Sequence, residues 1–370
     1  MYCVQPLLPV FVRSFHIAPA QSALTISATT LILAIALLGA SEAADRFGRK
    51  SVMVAGLMGS TLLCAASAAA PDFNSLLLAR GAMGFTLAGL PAIAITYVTE
   101  EIPGPRATSA IGLFIGGSAL GGMSGRLLAA LTCHDLAFGP ALLSNAAVGL
   151  VCGLVLALFL PPGSAALPPQ APNALRTLRR KLRRHLRDPR QVILDSVAFL
   201  LMGSFVTIYN FIGFRLQAPP FSLSTTASGA VFSLYITGVI SSTLIGKLAT
   251  RIGPRACLIG GLICMVVGGA LTASPNLFGI ALGLALFTIG FFGAHAIASS
   301  QVAATARQNR AQASALYAFF YYAGSSVMGP IGGMVWHDHG WMALTLFICT
   351  LPACALAMVG FLPDQRSHLA

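Results

Sequence analysis

The sequence predicts an all-α membrane protein with eleven complete transmembrane helices and part of a twelfth. Of its 370 residues, 56% are hydrophobic and only 9% are charged, and the mean hydropathy is +0.82. A soluble domain has about 25% charged residues, so this composition fits a lipid bilayer as the main solvent. A helix that crosses a bilayer core about 30 Å thick needs about 20 apolar residues. Eleven apolar runs of about that length are separated by short polar breaks.

These runs are numbered as predicted spans 2 to 12, and they cover residues 20–42, 51–70, 74–98, 107–130, 139–160, 191–213, 224–248, 256–274, 276–302, 311–335 and 341–362. Residues Tyr2 to Val12 are also apolar, but eleven residues give only about 16 Å of α-helix. We expect them to be the outer end of a truncated span 1 whose remainder would lie upstream of Met1. A signal peptide is disfavoured because no basic start and no small-residue cleavage site flank the stretch.

Lysine and arginine indicate the orientation, because cytoplasmic loops retain them. One set of loops contains eighteen of these residues, whereas the other set contains only Arg13 and Arg215. We therefore expect a multi-pass protein of the bacterial inner membrane with the basic loops in the cytoplasm. This topology accounts for the net charge of +12 without a nucleic-acid partner. The eight cysteines show no metal-ligand spacing and fit small apolar core positions.

The chain divides into two halves at its longest polar break. We expect an N-terminal bundle over 1–160, a basic cytoplasmic linker over 161–190, a C-terminal bundle over 191–362 and a cytoplasmic tail over 363–370. SEAADRFGRK at 41–50 aligns with GKLATRIGPR at 246–255 at an offset of 205 residues. Parallel repeats of this kind occur in transporters, and they are the reason for reserving the number of span 1.

Several motifs resemble those of the major facilitator superfamily. SEAADRFGRK is similar to the family's G-x-L-A-D-R-x-G-R-K motif between spans 2 and 3, and Arg80-Gly81-x-x-Gly84 is similar to its span 4 motif. Gly117-Ser118-Ala119-Leu120-Gly121-Gly122 resembles the antiporter motif G-P-x-x-G-G, with Ser118 in place of Pro. Stretches such as YCVQPLLPV, YVTEEI and FLLMGSFVT look like those of bacterial YnfM-type permeases, a group described as sugar-efflux-like or drug-efflux-like.

The resemblance implies a 6+6 helix architecture and a secondary active transporter that works by alternating access. We expect proton-linked efflux of a small organic compound by a monomer without a cofactor. Uptake, facilitated diffusion, a channel and a transport-inactive sensor or scaffold remain alternatives. An enzyme or a primary pump is disfavoured because no nucleophile motif, phosphate-binding loop or metal-ligand cluster occurs.

The turn between spans 2 and 3 is predicted to form a conformational latch. In the family this turn packs against the other half, and its arginine pairs with a carboxylate at the inner end of span 4. The candidate latch residues are Asp45, Arg46, Gly48, Arg49, Glu100, Glu101 and Arg251. A turn that only supplies positive charge to the cytoplasmic side is the alternative.

Ionisable side chains within spans are costly and therefore indicate functional sites. We predict that the transport path or proton-linked groups include Arg80, Asp195, His295, Asn210 and Tyr321. Arg126 is expected to play a structural role and to extend to the outer surface, whereas Asp195 is close enough to the inner end of span 7 to reach water. Other aromatic residues of spans 7 and 11 could line a cavity or lie at the membrane interface: Phe205, Tyr209, Phe211, Tyr317 and Tyr322. The glycine rows of spans 5 and 11 are expected to let helix backbones approach closely.

Overall fold

The computed structural model describes residues 1–102, 105–133, 137–163, 180, 182–305 and 310–361, and these residues are almost entirely helical. Before the linker, a 3-10 segment (Tyr2–Leu7) is followed by α1 (Leu8–Phe15), α2 (Pro19–Leu37), α3 (Ala40–Phe47), α4 (Arg49–Ala68), α5 (Phe73–Leu87), α6 (Gly89–Glu101), α7 (Pro105–Thr132) and α8 (Gly139–Phe159). After it come α9 (Pro189–Gln217), α10 (Thr225–Gly229), a second 3-10 segment (Ala230–Leu234), α11 (Tyr235–Ile252), α12 (Pro254–Leu271), α13 (Leu277–Thr305) and α14 (Arg310–Gly360).

The predicted membrane-spanning helices are confirmed. Ten helical stretches in the described part of the chain are long and apolar enough to cross a bilayer. One of them, α14, contains both span 11 and span 12, because the chain reverses at Gly340. This residue has φ +74°, a left-handed conformation that glycine adopts readily. Gly340 therefore divides α14 into a first arm (310–339) and a second arm (341–360).

Span 4 differs from the single helix that was predicted, since it is divided into α5 and α6 at Ala88. Pro91 follows the break and has no N–H to donate to the carbonyl of Leu87, so the helical hydrogen-bond ladder is interrupted there. At the outer end, the Asp72 side chain caps α5 by accepting a hydrogen bond from the Ser75 N–H at 2.8 Å. The helix is therefore well defined at the end that positions Arg80.

Residues 2–15 form a short helical stretch that extends three residues beyond the predicted Tyr2 to Val12. At about 2.0 Å per 3-10 residue and 1.5 Å per α residue, this stretch is about 24 Å long. It contacts α7, α2 and α9, and Leu7, Leu8 and Phe11 are fully buried. The stretch is therefore a packed element of the core.

The two halves show the predicted repeat in their backbone conformations. Gly48 has φ +85° and ψ +140°, and Gly253, 205 residues later, has φ +89° and ψ +150°. A helix ends before each of these glycines and the next begins directly after it. The same offset relates Gln5 and Asn210, whose side chains are joined by a hydrogen bond of 2.8 Å. Equivalent positions of the two repeats therefore meet at the centre of the molecule.

The helices before the linker (α1–α8, the N-terminal group) meet those after it (α9–α14, the C-terminal group) along two seams. In one seam α2 packs against α14, and in the other α7 packs against α10, α11 and the 3-10 segment between them. The seams are tight at the end predicted to face outward. Thr226 Oγ1 donates to the carbonyl of Ala130 at 3.0 Å, and a Cβ placed on Gly229 would lie 2.3 Å from the Ala130 Cβ.

Several glycines in the predicted cytoplasmic halves of α7 and α11 contact no other helix. A Cβ placed on Gly116, Gly117 or Gly121 of α7, or on Gly246 of α11, would meet no atom within 4 Å. The expectation that the span 5 glycines bring helices together is therefore wrong for these three residues, because no helix packs on them in this conformation. The glycines of the first arm of α14 do allow close approach, since a Cβ on Gly333 would lie 2.6 Å from the Ala20 Cα.

Candidate functional site

A buried polar chain joins three helical segments at the centre of the molecule. Arg126 of α7 donates from Nε to Gln5 Oε1 at 2.5 Å, and Gln5 Nε2 donates to Asn210 Oδ1 of α9 at 2.8 Å. Arg126 also donates from Nη1 to the carbonyl of Gly122 at 2.6 Å. The chain crosses from the N-terminal to the C-terminal group, so its geometry depends on how the two groups are placed.

Three aromatic rings surround the Arg126 guanidinium. Its Cζ lies 5.0 Å from the ring centroid of Tyr2, 5.7 Å from that of Phe232 and 4.6 Å from that of Tyr235. Arg126 is only 4% exposed, so the expectation that it extends to the outer surface is wrong. The physical reason is that the residues after the α9 helix fold back over this end of α7, and the ring faces attract the cation in place of water.

The face of α7 that carries Arg126 is open toward the cytoplasmic end. Residues 115, 119, 122 and 126 follow the spacing of one helix face. Ile115 is 54% exposed, Ala119 and Gly122 are half-buried, and Arg126 is buried. On α11, Gly246 is exposed, Ser242 is half-buried and Tyr235 is buried. We conclude that an opening between the groups narrows from the cytoplasmic end to a closed apex at Arg126 and Tyr235.

Arg80 is fully buried in the N-terminal group. Its guanidinium donates to the carbonyl of Thr25 at 3.2 Å, to the carbonyl of Met1 and to Met83 Sδ at 3.0 Å. Thr29 Oγ1 in turn donates to the Arg80 carbonyl at 2.9 Å. These contacts connect α5 to α2 and to the first residues of the chain. The geometry is that of a brace, and participation of Arg80 in the transport path stays a prediction.

His295 and Tyr321 come together in the C-terminal group, as part of an aromatic cluster. His295 Nδ1 and the Tyr317 hydroxyl are 2.9 Å apart, and the rings of His295 and Tyr321 have centroids 4.6 Å apart. Phe205 and Tyr209 of α9 belong to the neighbouring part of this cluster and are buried. Phe211 packs instead on Trp336 nearer the outer end.

Asp195 is 1% exposed, so the expectation that it reaches water is wrong. The reason is that α9 begins at Pro189 and the first arm of α14 covers this turn. Gln191 Nε2 donates to Asp195 Oδ1 at 2.8 Å and also contacts the carbonyl of Ala313 at 3.3 Å. Asp195 Oδ2 has no hydrogen-bond partner within the described residues. Asp195 is the only acidic side chain that is buried in that part of the chain.

The latch residues other than Arg251 lie at the predicted cytoplasmic end of the N-terminal group. Arg49 Nη2 and Glu100 Oε1 form an ion pair at 2.6 Å, which joins the start of α4 to the end of α6. Asp45 is half-buried in α3, Glu101 is half-buried beside Glu100, and Arg46 is exposed over the Phe47 ring. Arg251 is exposed at the end of α11. The structure thus brings Arg49 and Glu100 together, and the role of the whole set stays a prediction.

Sequence reasoning missed Gln5 and Tyr235, although both contact Arg126. One signal was present for Gln5, which is a polar residue within an apolar stretch and precedes Asn210 by the repeat offset of 205 residues. Nothing in the sequence connected Tyr235 to Arg126. Among the described residues, no group of three or more His, Cys, Asp or Glu side chains is placed to hold a metal ion.

The sequence matches the Major Facilitator Superfamily over residues 1–234 and 198–369. The chain belongs to this superfamily. An uncharacterised transporter of the superfamily, YybF of Bacillus subtilis strain 168, is 38% identical over 374 residues, covering 100% of this chain and 92% of YybF. The inner membrane transport protein YnfM of Escherichia coli K12 is 36% identical over 370 residues, covering 100% of this chain and 88% of YnfM.

A crystal structure of a mutant of the nucleoside transporter NupG has the same fold, with a TM-score of 0.76 over 96% of this chain and 94% of NupG. Its 18% sequence identity shows the fold alone. Membership in the Major Facilitator Superfamily makes this chain a multi-pass membrane transporter of a small-molecule substrate rather than an enzyme.

Proposed function

We propose that this transporter exports a small organic compound across the bacterial inner membrane in exchange for protons, by alternating access. The observation that carries the proposal is the asymmetry of the seam that α7 forms with α10 and α11. The groups are in contact at the outer end, where Thr226 meets Ala130. They are separated at the inner end, where Ile115 of α7 is 54% exposed and a Cβ placed on Gly246 of α11 would meet no atom within 4 Å. Rocking of one group against the other would close the inner end and open the outer end around the central site.

Asp195 supports the proton-linked part of the proposal. A buried carboxylate inside a span is costly when it is charged, so it favours exchange of a proton with the transport path. Gln191 Nε2 donates to Asp195 Oδ1 and also contacts the carbonyl of Ala313, so the carboxyl group lies at the contact between α9 and the first arm of α14. The Tyr317 hydroxyl of α14 binds His295 of α13. The C-terminal group thus contains two pairs of titratable or polar side chains, Asp195 with Gln191 and His295 with Tyr317.

The direction of transport rests on the Gly117 to Gly122 segment, which is similar to the antiporter motif. The competing functions are uptake and facilitated diffusion. Neither of them predicts that an acidic outer side drives the compound out of the cell. Everted membrane vesicles distinguish them, because their lumen corresponds to the outer side. We expect vesicles with an acidic lumen to accumulate a labelled substrate from a panel of organic compounds, and vesicles without a pH gradient to reach only equilibrium.

Asp195→Asn tests the proton carrier in the same vesicles. The variant should lose stimulation by the pH gradient and keep exchange of labelled for unlabelled substrate, because exchange requires no net proton movement. Asp338→Asn is the matched control, since Asp338 is exposed in the turn before Gly340. If the parent accumulates substrate to the same level with and without a pH gradient, proton-linked export is refuted. Full stimulation in Asp195→Asn would refute the role of Asp195 alone.

A further inference from the structure

The apex of the opening contains more hydrogen-bond donors than acceptors. Arg126 can only donate, and it does so from Nε to Gln5 and from Nη1 to the carbonyl of Gly122. The Asn210 amide accepts from Gln5 through its oxygen, but its Nδ2 has no partner. The Tyr235 hydroxyl has no partner either. All three side chains are more than nine-tenths buried.

Buried polar groups are nearly always paired, so the unpaired Asn210 Nδ2 and Tyr235 hydroxyl require an explanation. Both side chains adjoin the Arg126–Gln5 pair, since Asn210 accepts from Gln5 and the Tyr235 ring lies against the Arg126 guanidinium. The charge at this point is also uncompensated. The ion pair of Arg49 with Glu100 is the only one among the described residues, and Asp195, the only buried acid there, does not face Arg126. Asp195 precedes Tyr209 by fourteen residues on α9, which is about 21 Å of helix. Tyr209 packs against Tyr235, with ring centroids 4.9 Å apart.

We infer that Arg126, Asn210 and Tyr235 form a binding site for the acidic group of an organic anion. An acidic group at this point would supply the missing acceptors and the missing negative charge together. Charge-assisted hydrogen bonds of this kind are among the stronger polar contacts in proteins. The aromatic rings of Tyr2 and Phe232, which lie against Arg126, suit a ligand with an apolar or aromatic body. The inference rests on the proposed function, for which it supplies the substrate class.

The site also connects ligand binding to conformation. Arg126 belongs to the N-terminal group, whereas Asn210 and Tyr235 belong to the C-terminal group. An anion that binds all three would favour the states in which the two groups are close at the apex. Binding energy would therefore depend on the arrangement of the groups, which is the condition for a ligand to shift a conformational equilibrium.

The test measures equilibrium binding to purified full-length protein, so that it does not depend on transport. The probes are phenylacetate, a naphthoate and an aliphatic monocarboxylate, each paired with its uncharged amide of nearly the same shape. We expect at least one acid to bind the parent about tenfold or more tightly than its amide, because a hydrogen bond to a charged group is worth at least that factor. If no acid binds more tightly than its amide, the inference is wrong.

Two variants locate the site. Arg126→Gln should weaken acid binding about tenfold or more and leave amide binding unchanged. Tyr235→Phe keeps the ring that stacks on Arg126 and removes only the unpaired hydroxyl, so it remains informative if Arg126→Gln fails to fold. Arg13→Gln is the matched control, because it removes an exposed arginine at the outer end. Unchanged acid binding in both folded variants would overturn the assignment.

The outcomes separate this inference from the proposed function. The protein could show gradient-driven export of neutral or cationic compounds, and Arg126→Gln could leave that export unchanged. This result would contradict the anion site and support the proposed function. Selective binding of acids without gradient-driven flux would support the site and contradict the function.

Discussion

The two buried arginines occupy different environments, although both were visible in the sequence as costly charges within spans. All contacts of the Arg80 guanidinium are to atoms of the N-terminal group, whereas Arg126 contacts residues of both groups. The sequence could not distinguish them, because the partners Gln5 and Tyr235 are separated from Arg126 by more than one hundred residues each. Only the packing of distant segments brings them together.

At Arg80 we predict that replacement by lysine preserves membrane insertion and lowers transport severalfold. The planar guanidinium of Arg80 donates to two carbonyl oxygens and a sulfur. A lysine ammonium on a flexible hydrocarbon stem cannot reproduce this arrangement of donors. The measurement is initial flux in vesicles, normalised to the amount of transporter in the membrane. Arg106→Lys is the control, because Arg106 is exposed. Undiminished flux in Arg80→Lys would leave Arg80 with a role in folding only.

The burial of Asp195 could not be predicted from hydrophobic periodicity and span length. The sequence placed this acid within span 7 but put the inner end of the span at residue 191, close enough for contact with water. In the structure α9 begins at Pro189, and Gln191 contacts both the carboxyl group and the carbonyl of Ala313 on α14. Burial by another helix depends on tertiary packing, which a single sequence does not reveal.

At the scale of elements, the turn between α3 and α4 was the feature that the sequence predicted best. Gly48 has the positive φ that its motif position implies, and Arg49 forms the predicted ion pair with one of the two glutamates named for it. A family motif reports local geometry well, since the residues that make the turn are consecutive. The break of span 4 at Ala88 was missed, although Pro91 was its signal.

We predict that Asp45→Asn inserts and purifies normally but transports poorly. If the latch contributes partly screened charge interactions of about 1 kcal/mol each, its loss shifts a balanced equilibrium between inner-closed and inner-open states severalfold. A cysteine at Ser118, which is exposed on α7, reports the inner opening. In a background without the exposed Cys152 and Cys354, labelling of this cysteine from the cytoplasmic side should rise in Asp45→Asn.

The control for this experiment is Asp72→Asn, which keeps a helix-capping side chain at the opposite end of the N-terminal group. If Asp45→Asn leaves both labelling and flux at the parent level, the turn supplies only positive charge for topology.

A substitution in the outer seam between α7 and α10 should have the opposite effect on labelling. A side chain at Gly229 would clash with Ala130, so Gly229→Val should hold the outer end apart. Labelling of the cysteine at Ser118 from the cytoplasmic side should then fall severalfold, because the protein would favour the outer-open state. Gly260→Val is the matched control, since a Cβ there meets no atom within 4 Å. If the two variants are labelled equally, contact at the outer seam does not affect the balance between the inner-open and outer-open states.

At the scale of the whole molecule, the number and order of the spans followed from composition and span length. The internal repeat added more, since its offset of 205 residues relates the two positive-φ glycines and also Gln5 and Asn210. The sequence could not predict which end of the two seams is closed. That choice depends on a small free-energy difference between two arrangements of the same helices, and no local pattern encodes it.

Cross-linking the outer seam tests alternating access most directly. Cysteines at positions 130 and 226 would lie on either side of this seam, where Thr226 Oγ1 now contacts the Ala130 carbonyl at 3.0 Å. A short thiol-specific bifunctional reagent should join them and abolish gradient-driven flux, and cleavage of the link should restore flux. Single-cysteine variants treated with the same reagent should transport normally. Undiminished flux in the fully cross-linked protein would contradict a cycle in which the outer seam must open.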